Sequence, residues 1–205
     1  MPSKLFASCF ALVLAMPLKV ASETCVMVAD TTGTPTPTLI YDGSLFALEP
    51  AFEDYSFMLF DACEVWGKAI ETGCDIFPMM GDINWNAVAT KCDSNKVIVY
   101  DRRISPSIGY KGAQAVMAHE LGHHLCNHLG APSTDLRHSH KRELEADRFA
   151  GATLRRLGFS RVSTLSYLHL LMEQPTQSHP SRMERRTALL AGWDNPESGL
   201  ACLVE

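Results

Sequence analysis

His119, Glu120, Leu121, Gly122 and His123 put two imidazoles and a carboxylate within five residues. On an α-helix, positions four apart are separated by about 40 degrees of rotation and stack one turn above the other. His119 and His123 then point the same way and can grip one metal ion. Glu120 lies about 100 degrees round from His119, wrong for a ligand but right for holding a water beside the metal. Met117, Leu121 and Leu125 form an apolar ladder on the other side, so one face anchors in a core while the other opens on a cleft. The motif alone is short and occurs by chance in unrelated helices.

A catalytic zinc takes three protein ligands and keeps a fourth position open. Glu143 is the third ligand expected here, in Glu143-Leu144-Glu145-Ala146-Asp147 on the next helix. Glu143 and Asp147 share a face one turn apart, so Asp147 can accept the outer ring N–H of a ligand histidine. Glu145 points away and is the weaker choice. A longer motif with a third histidine would want glycine where Cys126 stands and histidine where Leu129 stands, so a metzincin is excluded. Extending the helix puts His128 on its far side and rotates His124 away, which makes both packing or surface residues. Cys126 falls on the metal side, with disulfide pairing the preferred fate. His138 and His140 are expected in a polar loop.

The elements that must position these groups follow from periodicity. Phe52, Tyr55, Leu59, Ala62, Trp66 and Ile70 recur at helical steps, between Pro50 as a start and Gly73 as a stop. Thr31 to Thr38 is expected as an extended surface segment, since its prolines lack the donor a central strand needs. Cys74 to Ser94 is expected to be irregular, and Lys96 to Arg102 is the clearest strand. Further helices are expected from between Ser105 and Lys111 to Leu129, stopped by Gly130 and Pro132, and from between Asp135 and Lys141 to Leu157. A fourth should cover Ser160 to Glu173, and a last should run from near Pro180 to Gly192.

At the amino end Lys4, an apolar run from Leu5 to Met16, and small residues at Ala21 and Ser22 read as a secretory signal peptide over residues 1–22. The run is shorter than the roughly 20 residues that span a bilayer, so no stable membrane span is expected after cleavage. Residues 23–205 are then one domain, exported to a periplasmic or extracellular space. Losing Lys4 and Lys19 moves the formal charge from -5 to -7. Nucleic acid, which needs a basic face, is therefore not an expected partner. Losing Cys9 leaves six cysteines: Cys25, Cys63, Cys74, Cys92, Cys126 and Cys202. An even set in an exported chain points to disulfides, in pairings the spacing does not choose. No oligomeric state follows from the sequence.

With His179-Pro180-Ser181-Arg182 ahead of the last helix, the three blocks together resemble the gluzincin peptidases of the HtpX and CAAX prenyl protease family, in particular small exported relatives. The resemblance runs from about Asn86, in Asn86-Ala87-Val88-Ala89, to Leu190. It implies a mostly helical α+β, zincin-like metallopeptidase domain with a small β-sheet edge strand beside the active-site helix. It also implies one Zn2+ per chain on His119, His123 and Glu143, with Glu120 as base, Asp147 behind a ligand histidine and His179 as the oxyanion donor. The expected activity is zinc-dependent hydrolysis of peptide bonds in extended or unfolded polypeptides, with Lys96 to Arg102 pairing with a peptide or protein substrate. The alternative is a non-catalytic zinc-binding assembly or chaperone-like factor on the same scaffold. Glu120 discriminates between them, because metal binding alone does not require it. The family's multi-span members have long apolar helices that this chain lacks.

Overall fold

A computed structural model describes residues 24–29, 31–69, 72–129 and 135–202. The expected signal segment, Ile70, and the helix-stop residues Gly130 and Pro132 lie outside the described residues.

Strands β1 (Thr24–Ala29), β2 (Pro35–Tyr41), β3 (Ser44–Ala47), β4 (Glu49–Pro50), β5 (Ile76–Gly81), β6 (Ala87–Cys92) and β7 (Asn95–Asp101) form one sheet in the order β3-β2-β1-β6-β7-β5-β4. Val97, Ile98, Val99 and Tyr100 of β7 are all buried, as expected for a strand covered on both faces. The expectation of an edge strand at Lys96 to Arg102 is corrected here. β7 is internal, parallel to β5 on one side and antiparallel to β6 on the other.

Cys74 to Ser94 also contradicts its expected irregularity, because it holds β5 and β6. Its glycines and asparagines crowd the turns, while Ile76–Gly81 and Ala87–Cys92 carry enough apolar character to pair with β7. Thr31 to Pro35 is exposed, as an extended surface segment should be, but from Pro35 the chain joins β2 between β3 and β1, with Pro35 and Pro37 paired to β1. The carbonyl of Pro37 accepts from Leu48 N at 2.8 Å. The N–H and C=O of one strand residue point to the same side, so the missing proline donors face away from β1.

Helix α1 (Glu53–Glu64) ends well before Gly73. Lys68 N donates to Cys63 O and Gly67 N to Glu64 O, a Schellman turn with Gly67 at φ 67°. Helix α2 (Ile104–Leu125) begins where Asp101, at the end of β7, accepts from Arg103 N at 2.9 Å. It kinks at Gly109, which has φ 69°, so the motif rides on the segment after the kink. Helix α3 (Leu136–Arg156) is capped by the Asp135 side chain and includes His138 and His140, which correct their placement in a loop. The expected helix Ser160 to Glu173 is only α4 (Arg161–Thr164) and a 3-10 turn at Leu168–Leu170. After Thr164 the backbone bonds tighten to three-residue steps, Leu165 N to Val162 O, Ser166 N to Ser163 O and Leu168 N to Leu165 O, so short 3-10 turns replace a continuous helix. Helix α5 (Arg182–Asp194) starts with a capping box formed by Ser181 and Glu184.

α2 lies against β6 and β7, α3 packs on α2, and α5 packs on α3. Two glycines set the last contact. A Cβ on Gly151 would fall 1.8 Å from Leu189 O, and one on Gly192 would fall 1.8 Å from Arg148 O. α3 and α5 thus touch backbone to backbone.

Three disulfides join Cys25 to Cys92, Cys63 to Cys74 and Cys126 to Cys202. With sequence separations of 67 and 76, the first and last each constrain the unfolded chain by on the order of 4 kcal/mol. Their number is compatible with an oxidising compartment and export. No helix among the described residues is long and apolar enough to cross a membrane.

Candidate metal centre and active site

The helical spacing of His119 and His123 turns both rings toward α3. His123 Nε2 lies 3.1 Å from His119 Nε2. Glu143 meets them from α3, with one carboxylate oxygen 3.3 Å from His119 Nε2 and the other 3.4 Å from His123 Nε2. Nitrogen and oxygen ligands about 2.0–2.2 Å from a tetrahedral zinc stand about 3.3–3.6 Å apart, so the three side chains suit that ion. Glu143 Oε2 is buried without a well-formed hydrogen bond among the described residues, His119 Nε2 and His179 Nε2 standing 3.3 and 3.4 Å away, which fits a cation beside it. Burial pushes the His123 imidazole down to about 3. Burial would raise the Glu143 carboxyl, but His123 and His119 hold it well below the ordinary carboxylate range.

Each ring has its outer nitrogen held. His119 Nδ1 stands 3.0 Å from Asp147 Oδ1, on a fully buried carboxylate. Asp147 in turn receives Arg185 Nε at 2.8 Å, Arg185 Nη2 at 2.9 Å and Tyr167 Oη at 3.3 Å. Burial alone would raise Asp147, but Arg185 and His119 together keep it below 3.8. Burial likewise works against protonation of His119, yet Asp147 outweighs it and carries the imidazole up to about 10.

His123 Nδ1 lies 3.1 Å from His128 Nδ1, and His128 Nε2 lies 3.1 Å from Glu145 Oε2. The expectation that His128 lies on the far side of the helix is therefore corrected, while Glu145 stays out of the three-residue cluster and meets His128 instead. α2 stops at Leu125, and the chain turns back through Asn127 at φ 55°. His128 N bonds to His123 O and Asn127 N to His124 O, the two bonds of a Schellman motif. That turn folds His128 over His123 where a continued helix would have carried it to the far side. Arg185 was also missed. Its signal was a cation on the same helical row as the buried Leu189, four residues on.

Glu120 is buried beside the cluster, and the backbone N–H of Ala89 in β6 bonds to its carboxylate. Burial pushes its carboxyl up to about 7, in the range where a base works near neutral pH. His179 Nε2 stands 3.4 Å from Glu143 Oε2 on a half-exposed ring. Its Nδ1 is 2.8 Å from Ser178 Oγ, and its loop is tied to α3 by His140, whose Nε2 meets Thr176 O at 2.9 Å. Cys126 is in its disulfide and His124 packs against Val97 O at 2.9 Å, so neither joins the cluster.

Residues 81–154 match a peptidase family model described as the IrrE N-terminal-like domain. The matched stretch carries Glu120, both histidines, Glu143 and Asp147, and stops short of His179 and Arg185. It supports a metallopeptidase-like family and is not a match to the HtpX and CAAX prenyl protease family. No curated protein and no solved structure matches the chain.

Proposed function

We propose that this chain is a zinc-dependent endopeptidase of the gluzincin type that hydrolyses peptide bonds in extended polypeptides. The observation that carries the reading is the convergence of His119, His123 and Glu143 from two helices with the buried Glu120 beside them. The matching peptidase family is typically metal-dependent, which fits the same cluster. Zinc bound to the three side chains supplies a Lewis acid that polarises a carbonyl and lowers the pKa of a bound water to about 7.

The rest of the work falls to the chain itself. Glu120 accepts the proton of the attacking water and delivers it to the leaving amine. His179, with Nδ1 accepting from the Ser178 hydroxyl, presents Nε2–H to the oxyanion that develops on the scissile carbonyl. Asp147 fixes the ring of His119.

The substrate strand cannot pair with β7, whose two sides are occupied. β6 is the better partner. Ala89 N–H reaches Glu120, so the side of β6 away from β7 faces the active site. Among the described residues β1 pairs with β6 only at Cys25 and Cys92. An extended peptide laid along this edge would gain backbone hydrogen bonds with little sequence choice.

A Glu120→Gln variant tests the reading against a non-catalytic zinc-binding factor. It should keep one zinc per chain and lose peptide cleavage by on the order of 10²–10⁴-fold. Cleavage at the parent rate by the zinc-loaded variant would sink the peptidase mechanism.

A further inference from the structure

The pair His128 and Glu145 has no part in the chemistry just described, yet both side chains are almost wholly buried, with 2% and 4% of their surface exposed. A buried carboxylate and a buried imidazole are retained at a cost unless their polar atoms are matched. Here they are matched to one another and to the ring of His123, in a line of two contacts at 3.1 Å each.

We infer that His128 and Glu145 are positioning residues that hold His123 in the ring orientation and tautomer a zinc ion requires, an inference that rests on the metal-site reading above. The hydrogen-bond directions follow from the donor set. His123 faces Glu143 and His119 with Nε2, so its ring proton sits on Nδ1 and is donated toward His128 Nδ1. That nitrogen must then be the bare one, which leaves the His128 proton on Nε2, donated to Glu145. A carboxylate at the end of the line accepts without a proton of its own, so one arrangement of protons satisfies all three side chains.

The alternative is that His128 simply fills space behind α2, and geometry argues against it. Its two ring nitrogens face the two partners of opposite character that this proton arrangement needs. The turn that puts it there is specified by Asn127 in the left-handed region. Cys126 also lies within reach of His128 and Glu145, but its sulfur is bonded to Cys202 and takes no part.

The test is zinc affinity of the disulfide-intact protein, measured by competition with a chelator for Zn2+ alone, together with a check of fold by near-ultraviolet circular dichroism. Glu145→Gln keeps the size of the side chain and removes the charge. His128→Leu removes the relay and keeps an apolar filler, and His128→Gln restores an acceptor and a donor. Glu145→Gln and His128→Leu should weaken zinc binding about 10- to 100-fold, with His128→Gln recovering part of the loss. Parent-like affinity in both Glu145→Gln and His128→Leu, or no difference between His128→Leu and His128→Gln, would overturn the relay and leave the metal site standing. If His128→Leu fails to fold, the isosteric Glu145→Gln decides alone. A folded parent that binds no zinc overturns the metal-site reading and the relay together.

Discussion

His119 and His123 stand one turn apart on the same helix, and the molecule braces them by unlike means. Behind His119 is a full charge, Asp147, buried and locked by Arg185 and Tyr167. Behind His123 is a second imidazole, with its carboxylate one step further out. The first brace ties three elements together, since Asp147 belongs to α3, Arg185 to α5 and Tyr167 to the segment between them. The second is assembled from the end of α2 and one residue of α3. One flank should thus be coupled to the stability of the whole helical layer, and the other chiefly to the metal.

Arg185→Met gives the sharpest separation. Taking away the partner of a buried carboxylate typically costs about 3–5 kcal/mol, because the charge is left uncompensated. Urea unfolding of the zinc-free protein should show a loss of that size, and Glu145→Gln should show far less. The sign with pH follows from the depressed Asp147 carboxyl. Its contribution is complete above the ordinary 3.8 and is lost as pH falls through the lower folded value. Stability of the parent should therefore drop on acidification through that window, and Arg185→Met should show a shallower drop. Equal losses in Arg185→Met and Glu145→Gln would erase the distinction between the flanks.

A smaller effect is expected from Gly151→Ala, which touches neither brace directly. The added Cβ would fall 1.8 Å from Leu189 O and 2.8 Å from Leu189 C, so α5 must move off α3 and take Arg185 with it. Overpacking of this kind typically costs about 1–3 kcal/mol. Thermal unfolding should reveal it, and zinc affinity should weaken through His119 while the ¹⁵N signals of His128 stay in place. A shift of the His128 signals equal to that of His119 would show that the two flanks move as one body.

Which of these features were legible in the sequence depends on how far apart the contacting residues are. The side-by-side placement of His119 and His123 needs only helix geometry over four residues, and the shared face of Glu143 and Asp147 needs only the same rule. Docking Glu143 onto the two histidines required a guess about how two helices meet, which the three-block pattern supplied. Arg185 reaches Asp147 from 38 residues away, and no local period announces such a pair. The strands were obscured for another reason. β5 and β6 are short apolar runs set among glycines and asparagines, so composition over Cys74 to Ser94 read as loop until β7 supplied a partner on each side. α1 shows a third kind of miss, in which two glycines were available as a stop and the nearer one, Gly67, closes the helix.

His128 is the most instructive miss, because the rule that found His123 misplaced it. Rotating a further five residues along an ideal helix puts it on the opposite face, but the helix ends at Leu125 and Asn127 turns the chain back. Placing a non-glycine residue in the left-handed region costs roughly 1 kcal/mol, and asparagine bears this better than most. Asn127→Ala should accordingly lose about 1 kcal/mol of stability with an unchanged denaturant slope, and Asn127→Gly should stay within a few tenths of the parent. The zinc affinities should follow the same order, because the turn aims His128 at His123. If Asn127→Ala lost stability while its zinc affinity matched that of Asn127→Gly, the turn would matter for ending the helix and not for bracing the ligand. The contrast between the two flanks would then rest on the side chains of His128 and Glu145 alone.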